Sequence, residues 1–350
     1  MAAPRNFRLI AGPCSAESKE QVLACAAAVA GQGPDAFRAG LWKPRTRPGS
    51  FEGVGEEGIP WLLEVRERFG MEPCTEVAGA AHVRACLDAG ISRFWIGART
   101  TVNPFLIQEI ADALEGSGAS VLIKNPVNPD IPLWTGAVER FAAAGVSDIG
   151  LVHRGFTPSG PMNYRNDPQW GLAVEMKSRF PGLPFYCDPS HIGGDVRFVP
   201  ELSRQALDLG FDGLMLEVHP RPSEALSDAC QQLDTEAFVR LLTEVLHGCG
   251  TDGDLVFEKE LEVLRSRIDA MDSSLVALLS GRMELCREIG RLKRDRGVGI
   301  IQGARWENVL SRVVAEGREK GLDPAMVGNI FREIHRASVN EQNEIRKQKI

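Results

Sequence analysis

The chain contains 350 residues, enough for a domain of about 250 residues followed by a smaller one, and its hydrophobic (43%) and charged (25%) fractions are typical of a soluble globular protein. The formal net charge of −7 argues against nucleic acid as a partner, and no stretch approaches the roughly 20 apolar residues that a membrane span requires. Residues 1–6 contain no apolar signal core, and the eight cysteines are scattered without disulfide or zinc-finger spacing, so we expect a cytoplasmic protein with reduced thiols.

In residues 1–250, short apolar strands alternate with amphipathic helical stretches. The eight predicted strands are Phe7–Ala11, Ala36–Leu41, Met71–Glu76, Arg93–Gly97, Ser120–Lys124, Asp148–His153, Pro184–Asp188 and Gly213–Val218. The predicted helices include Gln21–Ala30, Ile59–Phe69, Pro104–Leu114, Trp134–Ala143, Gln169–Phe180 and Val199–Leu209. This alternation predicts an α/β protein with a (β/α)8 (TIM) barrel. An open doubly wound sheet is the alternative, although no G-x-G-x-x-G follows the first strand, as a dinucleotide-binding sheet would require.

Four potential metal ligands lie near the ends of the predicted strands. Cys14 follows the first strand, His191 follows the seventh, and Glu217 lies at the end of the eighth, with Asp228 beyond it. Because the carboxyl ends of the strands meet at one mouth of such a barrel, these side chains are expected to converge. Mixed nitrogen, oxygen and sulfur ligands suit a divalent first-row transition metal better than magnesium or calcium. The pattern alone leaves open that Cys14 and His191 are ordinary core residues.

Cationic side chains lie at the ends of the remaining strands. They are Arg38, Lys43, Arg45, Arg99, Lys124 and Arg154. A single arginine would usually be explained by a structural ion pair, but six cations gathered at one mouth of an acidic protein favour an anionic, phosphorylated substrate. Arginine can hold phosphate or carboxylate through two parallel hydrogen bonds, and lysine supplies a point charge.

Six motifs, in this order, resemble 3-deoxy-D-arabino-heptulosonate 7-phosphate (DAHP) synthase in its compact form, without an added N-terminal regulatory domain. The motifs are Gly12-Pro13-Cys14-Ser15, Lys43-Pro44-Arg45-Thr46, Gly97-Ala98-Arg99-Thr100, Lys124-Asn125, His153-Arg154-Gly155 and Asp188-Pro189-Ser190-His191. The resemblance covers nearly all of residues 7–233. It implies the condensation of phosphoenolpyruvate with erythrose 4-phosphate, and a divalent metal cofactor for which Mn²⁺ is expected and Fe²⁺, Co²⁺ and Zn²⁺ are compatible.

The same resemblance implies roles for individual residues. The implied metal ligands are Cys14, His191, Glu217 and Asp228. The residues implied to hold phosphoenolpyruvate are Arg38, Lys43, Arg99, Lys124 and Arg154. Arg45 and Thr46 would hold erythrose 4-phosphate. The metal would polarise the aldehyde oxygen, the cations would offset the repulsion between two anionic substrates, and Lys124 would act as an acid or base if neighbouring cations lower its pKa.

The composition changes after Leu246, which predicts a barrel domain at 1–247, a Gly- and Asp-rich linker at 248–257 and an all-helical domain at 258–350. An apolar seam at steps of three and four predicts one helix of about 35 residues. The seam positions are Leu261, Leu264, Ile268, Met271, Leu275, Leu278, Arg282, Leu285, Ile289 and Leu292. Further helices are predicted over Ala304–Lys320 and from Asp323-Pro324 to about Arg346.

Arg282 is a charge within this apolar seam, where it needs a partner or a ligand. Arg265 and Lys293 lie on the neighbouring stripe, roughly 42 Å apart along one straight helix. They cannot both reach one small ligand from the same chain, but antiparallel pairing with a second copy would bring Arg265 of one chain near Arg282 and Lys293 of the other. A coiled coil with tolerated charges is the alternative.

Residues 258–345 resemble the all-helical chorismate mutase family. The matching residues are Leu264-Arg265, Ile268-Asp269, Asp272, Arg282, Gly290, Lys293, Arg305, Leu322-Asp323, Ser338 and Gln342. The resemblance implies that Arg265 of the partner chain, Arg282 and Arg305 contact the substrate carboxylates, that Lys293 and Gln342 bind the ether oxygen, and that Ser338 lines the site. Trp306 departs from the family, which often has a glutamate there to bind the substrate hydroxyl.

Together these features predict a bifunctional enzyme of the shikimate pathway, with a barrel synthase followed by a mutase domain that forms a homodimer. Prephenate bound at the mutase domain is expected to inhibit the synthase. One alternative is a synthase whose helical tail only dimerises and senses product. Another is a metal-dependent aldolase that acts on a different phosphorylated sugar.

Overall fold

The computed structural model describes residues 7–45, 49–158, 160, 162–248, 255–299 and 303–347. The chain divides into two compact units, Met1–Thr251 and Asp252–Ile350. Most of the linker predicted at 248–257 lies outside the described residues, and a helix already begins at Leu255. No helix in the described part of the chain is long and apolar enough to cross a membrane.

The first unit is a closed barrel of eight parallel strands in sequential order, in which the last strand pairs with the first. The strands β1 to β8 are Arg8–Gly12, Ala36–Arg38, Pro73–Val77, Arg93–Ile96, Ser120–Lys124, Asp148–His153, Phe185–Cys187 and Gly213–Glu217. All eight predicted strands are therefore present, with ends that differ by a few residues. The closed barrel confirms the predicted fold and excludes the open sheet.

In the described residues of the first unit, ten helices connect or follow the strands. The helices α1 to α10 are Lys19–Ala30, Ile59–Phe69, Ala80–Asp88, Ala98–Thr101, Pro104–Leu114, Ile131–Ala143, Trp170–Arg179, Pro189–Gly193, Val199–Asp208 and Thr235–Gly248. Helices α3 and α10 are not among the stretches that the sequence prediction named individually. Helix α3 buries only Val83 and Cys86, which is too short an apolar pattern to establish a helical period.

The core of the barrel unit has two layers because side chains alternate across each strand. In β1, Leu9 and Ala11 pack against the surrounding helices, whereas Ile10 faces the barrel interior. The interior also holds Trp95 and Tyr186. The barrel is thus filled with side chains, and its functional groups are left at the carboxyl ends of the strands.

Where the second unit is described, it contains three helices, α11 (Leu255–Asp295), α12 (Gly303–Glu319) and α13 (Pro324–Lys347). Helix α13 packs against both of the others. A Cβ atom at Gly290 would lie 3.2 Å from Gln342, so this glycine permits close approach of α11 and α13. The predicted all-helical domain is confirmed. The apolar side chains of α11 remain largely exposed in a single chain, as at Leu278, where the exposed fraction is 71%.

Candidate active sites

The functional residues predicted for the barrel meet in one pocket at the carboxyl ends of the strands. The residues that line it include Cys14, Arg38, Lys43, Arg45, Arg99, Lys124, Arg154, His191 and Asp228, together with Glu76 and Arg165, which were not predicted. Glu217 is fully buried and contacts Arg38 of this pocket. Thr46, the remaining predicted residue, lies outside the described residues.

The four predicted metal ligands lie in two pairs. The Sγ atom of Cys14 is 3.4 Å from Oδ2 of Asp228, and Nε2 of His191 is 3.7 Å from Oε1 of Glu217. The ammonium group of Lys43 contacts the Cys14 sulfur and lies 2.7 Å from Asp228 Oδ2. A positive charge therefore lies between the thiol and the carboxylate.

These donors fit a divalent first-row metal in chemical type. Separations of about 3.4 Å are expected between two ligands that each lie about 2.1 Å from a tetrahedral metal, and both pairs lie near this value. Among the described residues, no group of three or more His, Cys, Asp and Glu side chains is assembled closely enough to hold an ion. The ligand set consequently stays a prediction, supported by its donor types and pairwise distances.

Asp188 is a fully buried carboxylate that organises the floor of the pocket. Its Oδ2 atom lies 2.8 Å from Lys124 Nζ, 2.8 Å from His191 Nδ1 and 4.0 Å from Arg38. Although burial opposes ionisation, His191 and Lys124 hold the pKa of Asp188 well below its usual range. A charged Asp188 can thereby fix the direction of both the imidazole and the lysine.

Burial and neighbouring charges also determine the protonation states of the proposed metal ligands. Burial, together with Glu217, raises the pKa of the Cys14 thiol to about 12, and burial lowers the pKa of His191. For Glu217, His191 and Arg38 outweigh the effect of burial and lower the pKa. At neutral pH the site therefore presents a neutral imidazole, an ionised carboxylate and a thiol that ionises when a cation compensates its charge.

Several side chains hold the pocket cations in place. The Arg38 guanidinium stacks on Trp95, 4.9 Å from the ring centroid, and the Trp95 indole donates a hydrogen bond to Glu76 (3.0 Å). Arg154 is buried and donates a 2.8 Å hydrogen bond to Asn166 Oδ1. These contacts immobilise the guanidinium groups before an anion binds.

Arg165 and Asp188 are the main residues to which sequence reasoning gave no role. Arg165 lies in the loop after β6, far in sequence from the strand end, and its Nη1 atom donates to Asp228 Oδ1 (3.0 Å). Asp188 lies within a recognised motif, and its position beside Lys124 and His191 required the three-dimensional structure. A prediction that considers only the residues directly after each strand misses residues that the long loops contribute to the pocket.

The predicted mutase residues lie mainly along the contact between α11 and α13. Arg282 donates a 2.5 Å hydrogen bond to the buried Ser338 hydroxyl, and the side chain of Gln342 is buried beside Gly290. Within the described part of the chain, Oε1 of Gln342 is a buried acceptor without a hydrogen-bond partner. Lys293 lies on α11, about three turns beyond Arg282.

The other two predicted mutase arginines are Arg305 and Arg265. Arg305 is exposed on α12, and the side chain of Arg265 lies outside the described residues. Trp306 stacks on His335 of α13, with ring centroids 4.0 Å apart. Of the predicted mutase residues whose side chains are described, Arg282 and Ser338 meet directly, whereas Arg305 is exposed.

Comparisons with known proteins find relatives of the barrel and of the helical domain separately. Residues 3–247 match the model of the DAHP synthetase I family, and residues 264–343 match that of chorismate mutase type II. A phospho-2-dehydro-3-deoxyheptonate aldolase of Thermotoga maritima is 35% identical over 240 residues, or 68% of this chain and 69% of that protein. A crystal structure of the Thermotoga maritima enzyme of that name superposes with a TM-score of 0.61 and 32% identity, covering 69% of each chain.

A second type of relative matches the barrel less closely. A 2-dehydro-3-deoxyphosphooctonate aldolase of Syntrophotalea carbinolica is 30% identical over 264 residues, covering 68% of this chain and 89% of that protein.

Proposed function

Because the chain belongs to the DAHP synthetase I family and also carries a chorismate mutase domain, we propose that its barrel is a metal-dependent DAHP synthase inhibited by prephenate bound at the mutase domain. The chain is an enzyme whose two domains belong to enzyme families of the shikimate pathway. The observation that carries the synthase proposal is the pocket in which seven lysine and arginine side chains surround a thiol, an imidazole and carboxylates.

In the synthase reaction, C3 of phosphoenolpyruvate attacks the aldehyde of erythrose 4-phosphate, and negative charge develops on the aldehyde oxygen. Arg38, Lys43, Arg99, Lys124 and Arg154 would bind phosphoenolpyruvate, and Arg45 with Thr46 would bind the aldose phosphate. These cations offset the repulsion between the two anions and hold C3 near the aldehyde carbon. Water then adds at C2, and phosphate leaves.

Cys14, His191, Glu217 and Asp228 would hold the divalent metal, with Mn²⁺ as the expected ion. When bound, such a metal supplies Lewis-acid polarisation of the aldehyde. Asp188, 2.8 Å from His191 Nδ1, fixes the imidazole so that Nε2 faces the site, as carboxylate–histidine pairs do in many metal sites. Lys124, held 2.8 Å from Asp188, is placed to deliver a proton to the pocket.

The choice of aldose phosphate follows from counting carbon atoms. Phosphoenolpyruvate contributes three carbons, so a seven-carbon product needs a four-carbon aldehyde, whereas the eight-carbon product named for the second type of relative would need a five-carbon aldehyde. The greater identity to the heptonate aldolase (35% against 30%) favours the four-carbon substrate. We expect phosphate release with erythrose 4-phosphate to exceed that with a five-carbon aldose phosphate. The opposite order would favour the alternative aldolase.

In the mutase domain, Arg282 with Ser338 and Lys293 with Gln342 would bind chorismate between α11 and α13. The rearrangement to prephenate is unimolecular, so the site need only hold the compact conformer and stabilise charge on the ether oxygen. Arg305 of the same chain and Arg265 of a partner chain would complete the carboxylate contacts. A homodimer is supported by the apolar stripe on α11, where Leu275, Leu278 and Leu285 are each more than half exposed.

The test of this proposal is to assay the purified protein with phosphoenolpyruvate plus erythrose 4-phosphate and, separately, with chorismate. We expect both phosphate release and prephenate formation. If only the first reaction occurs, the helical domain is a dimerising and sensing module. We also propose that the enzyme acts in the cytoplasm, where both phosphorylated substrates would be available.

Prephenate is expected to inhibit the synthase because it is the product of the mutase site. The fusion of the two domains joins the first step of the pathway to a later one, so a late product could control the first reaction. Inhibition requires that prephenate bind one arrangement of the chain better than another, and a tenfold preference corresponds to about 1.4 kcal/mol of coupling free energy. By reciprocity, barrel substrates should weaken prephenate binding. The measurement is a titration of synthase rate with prephenate in the wild type and in Arg282→Ala.

A chain that ends at Thr251, the last residue of the first compact unit, is the control for the position of the regulatory site. Arg282→Ala and the truncated chain should both keep synthase activity and lose sensitivity to prephenate. Inhibition that persists in the truncated chain would place the regulatory site on the barrel and contradict the proposal.

A further inference from the structure

Gln231 is a buried glutamine that connects two of the proposed metal-binding carboxylates. It lies in the short 3₁₀ turn Ala229–Gln231, and its exposed fraction is only 1%. Its Nε2 atom donates a 2.7 Å hydrogen bond to Glu217 Oε2, and its Oε1 atom accepts a 2.8 Å hydrogen bond from Arg165 Nη1. The same Arg165 nitrogen donates to Asp228 Oδ1 at 3.0 Å.

The chemistry of the neighbours determines how the Gln231 amide is oriented. A guanidinium can only donate hydrogen bonds, so the amide oxygen must face Arg165. An ionised carboxylate can only accept them, so the amide nitrogen must face Glu217. Glutamate would lack the donor toward Glu217, and lysine would lack the acceptor toward Arg165. A neutral amide satisfies both neighbours without adding charge to the site.

The hydrogen bond to Glu217 also controls which carboxylate oxygen remains available. Gln231 engages Oε2, while Oε1 lies 2.9 Å from Arg38 Nη2 and 3.7 Å from His191 Nε2. A carboxylate held at one oxygen cannot rotate freely about its last side-chain bond. Oε1 is therefore the oxygen that faces His191, the other member of its ligand pair.

We propose that Gln231 is a positioning residue that fixes Glu217 as a one-oxygen metal ligand and, through Arg165, sets its position relative to Asp228. This inference rests on the proposed function, because it assigns Gln231 a role toward the proposed metal. Removing such a partner of a metal ligand typically lowers metal affinity about 10- to 100-fold.

The experiment compares cobalt binding by metal-free wild-type protein, Gln231→Met and Gln231→Glu. Gln205→Met is the matched control, because Gln205 also donates to a carboxylate (Glu201, 3.1 Å) and accepts from a ring N–H (Trp170, 3.2 Å), but on α9. Co²⁺ gives a thiolate-to-metal band that reports Cys14 and visible d–d bands that report the other ligands. Thermal unfolding of each variant is measured alongside.

We expect wild type and Gln205→Met to bind Co²⁺ with the same affinity and spectrum. Gln231→Met should keep the thiolate band, bind Co²⁺ about 10- to 100-fold more weakly and show altered d–d bands. Gln231→Glu preserves the shape of the side chain and should also alter the d–d bands, so the test remains available if Gln231→Met does not fold.

Two other results would overturn the inference, and they differ in whether the proposed metal site also fails. If the wild type gives a thiolate band and both Gln231 variants share its affinity and d–d bands, Gln231 has no positioning role, and the proposed metal site stands. If the wild type itself gives no thiolate band, the proposed metal site fails together with the inference.

Discussion

Stripping divalent metal from the protein is expected to abolish phosphate release from phosphoenolpyruvate and to leave chorismate turnover unchanged. The proposed ligands Cys14, His191, Glu217 and Asp228 all belong to the barrel unit, whereas the mutase chemistry needs only hydrogen bonds and fixed charges. The measurement follows both activities after chelation and after restoring Mn²⁺. Full phosphate release from thoroughly demetallated enzyme would refute the metal assignment.

Cys14→Ala should have the same selective effect without any chelator. Its thiol lies 3.4 Å from Asp228, so the substitution removes one of the two members of a ligand pair. A loss of at least about 100-fold in synthase rate is expected, because removing a ligand should cost more than the roughly 10- to 100-fold loss that follows removal of a ligand's hydrogen-bond partner. Cys86→Ala is the matched control, because Cys86 is an equally buried thiol on α3, outside the pocket. Equal loss in both variants would indicate a general effect on folding.

The barrel could be predicted from sequence because its strands are short, apolar and regularly spaced, and because a (β/α)8 barrel places every strand end at one mouth. This rule alone located Arg38, Lys124 and Glu217. It could not locate Arg165 or Gln231, whose positions depend on how the loops after β6 and β8 fold back over the mouth. Contacts between loops distant in sequence leave no periodic signal in either loop.

In the helical domain, too, spacing along one helix could be predicted from the sequence, whereas contacts between helices could not. Spacing of three and four residues placed Arg282 in the apolar seam of α11, and the structure shows that its guanidinium also reaches Ser338 of α13. The spacing did not reveal that Gly290 admits Gln342 between the helices, because that contact joins positions 52 residues apart. Nor could the periodicity show that Trp306 stacks on His335, since this pairing depends on how α12 packs on α13.

Replacing Arg282 by leucine is expected to abolish most mutase activity while the helical domain stays folded. Arg282 interrupts an apolar stripe that includes Leu278 and Leu285, so leucine would complete the surface proposed to pair with a second chain. Loss of Arg282 leaves no stranded donor, because the Ser338 hydroxyl still donates to the Ile334 carbonyl (2.7 Å). The domain should therefore keep its stability or gain some.

The mutase rate of Arg282→Leu should fall about 10²- to 10³-fold, the usual cost of removing one charged donor that stabilises a transition state. Arg287→Leu is the matched control, because Arg287 lies on the same helix and pairs with Glu341 of α13 at 3.3 Å, but on a half-exposed surface. The measurements are chorismate turnover, dimer mass and thermal unfolding. If Arg282→Leu turned over chorismate as fast as Arg287→Leu, Arg282 would be a tolerated charge in a helical seam. A selective loss with an intact dimer would instead show that the charge in the seam is retained for binding substrate, at a cost to packing that leucine would remove.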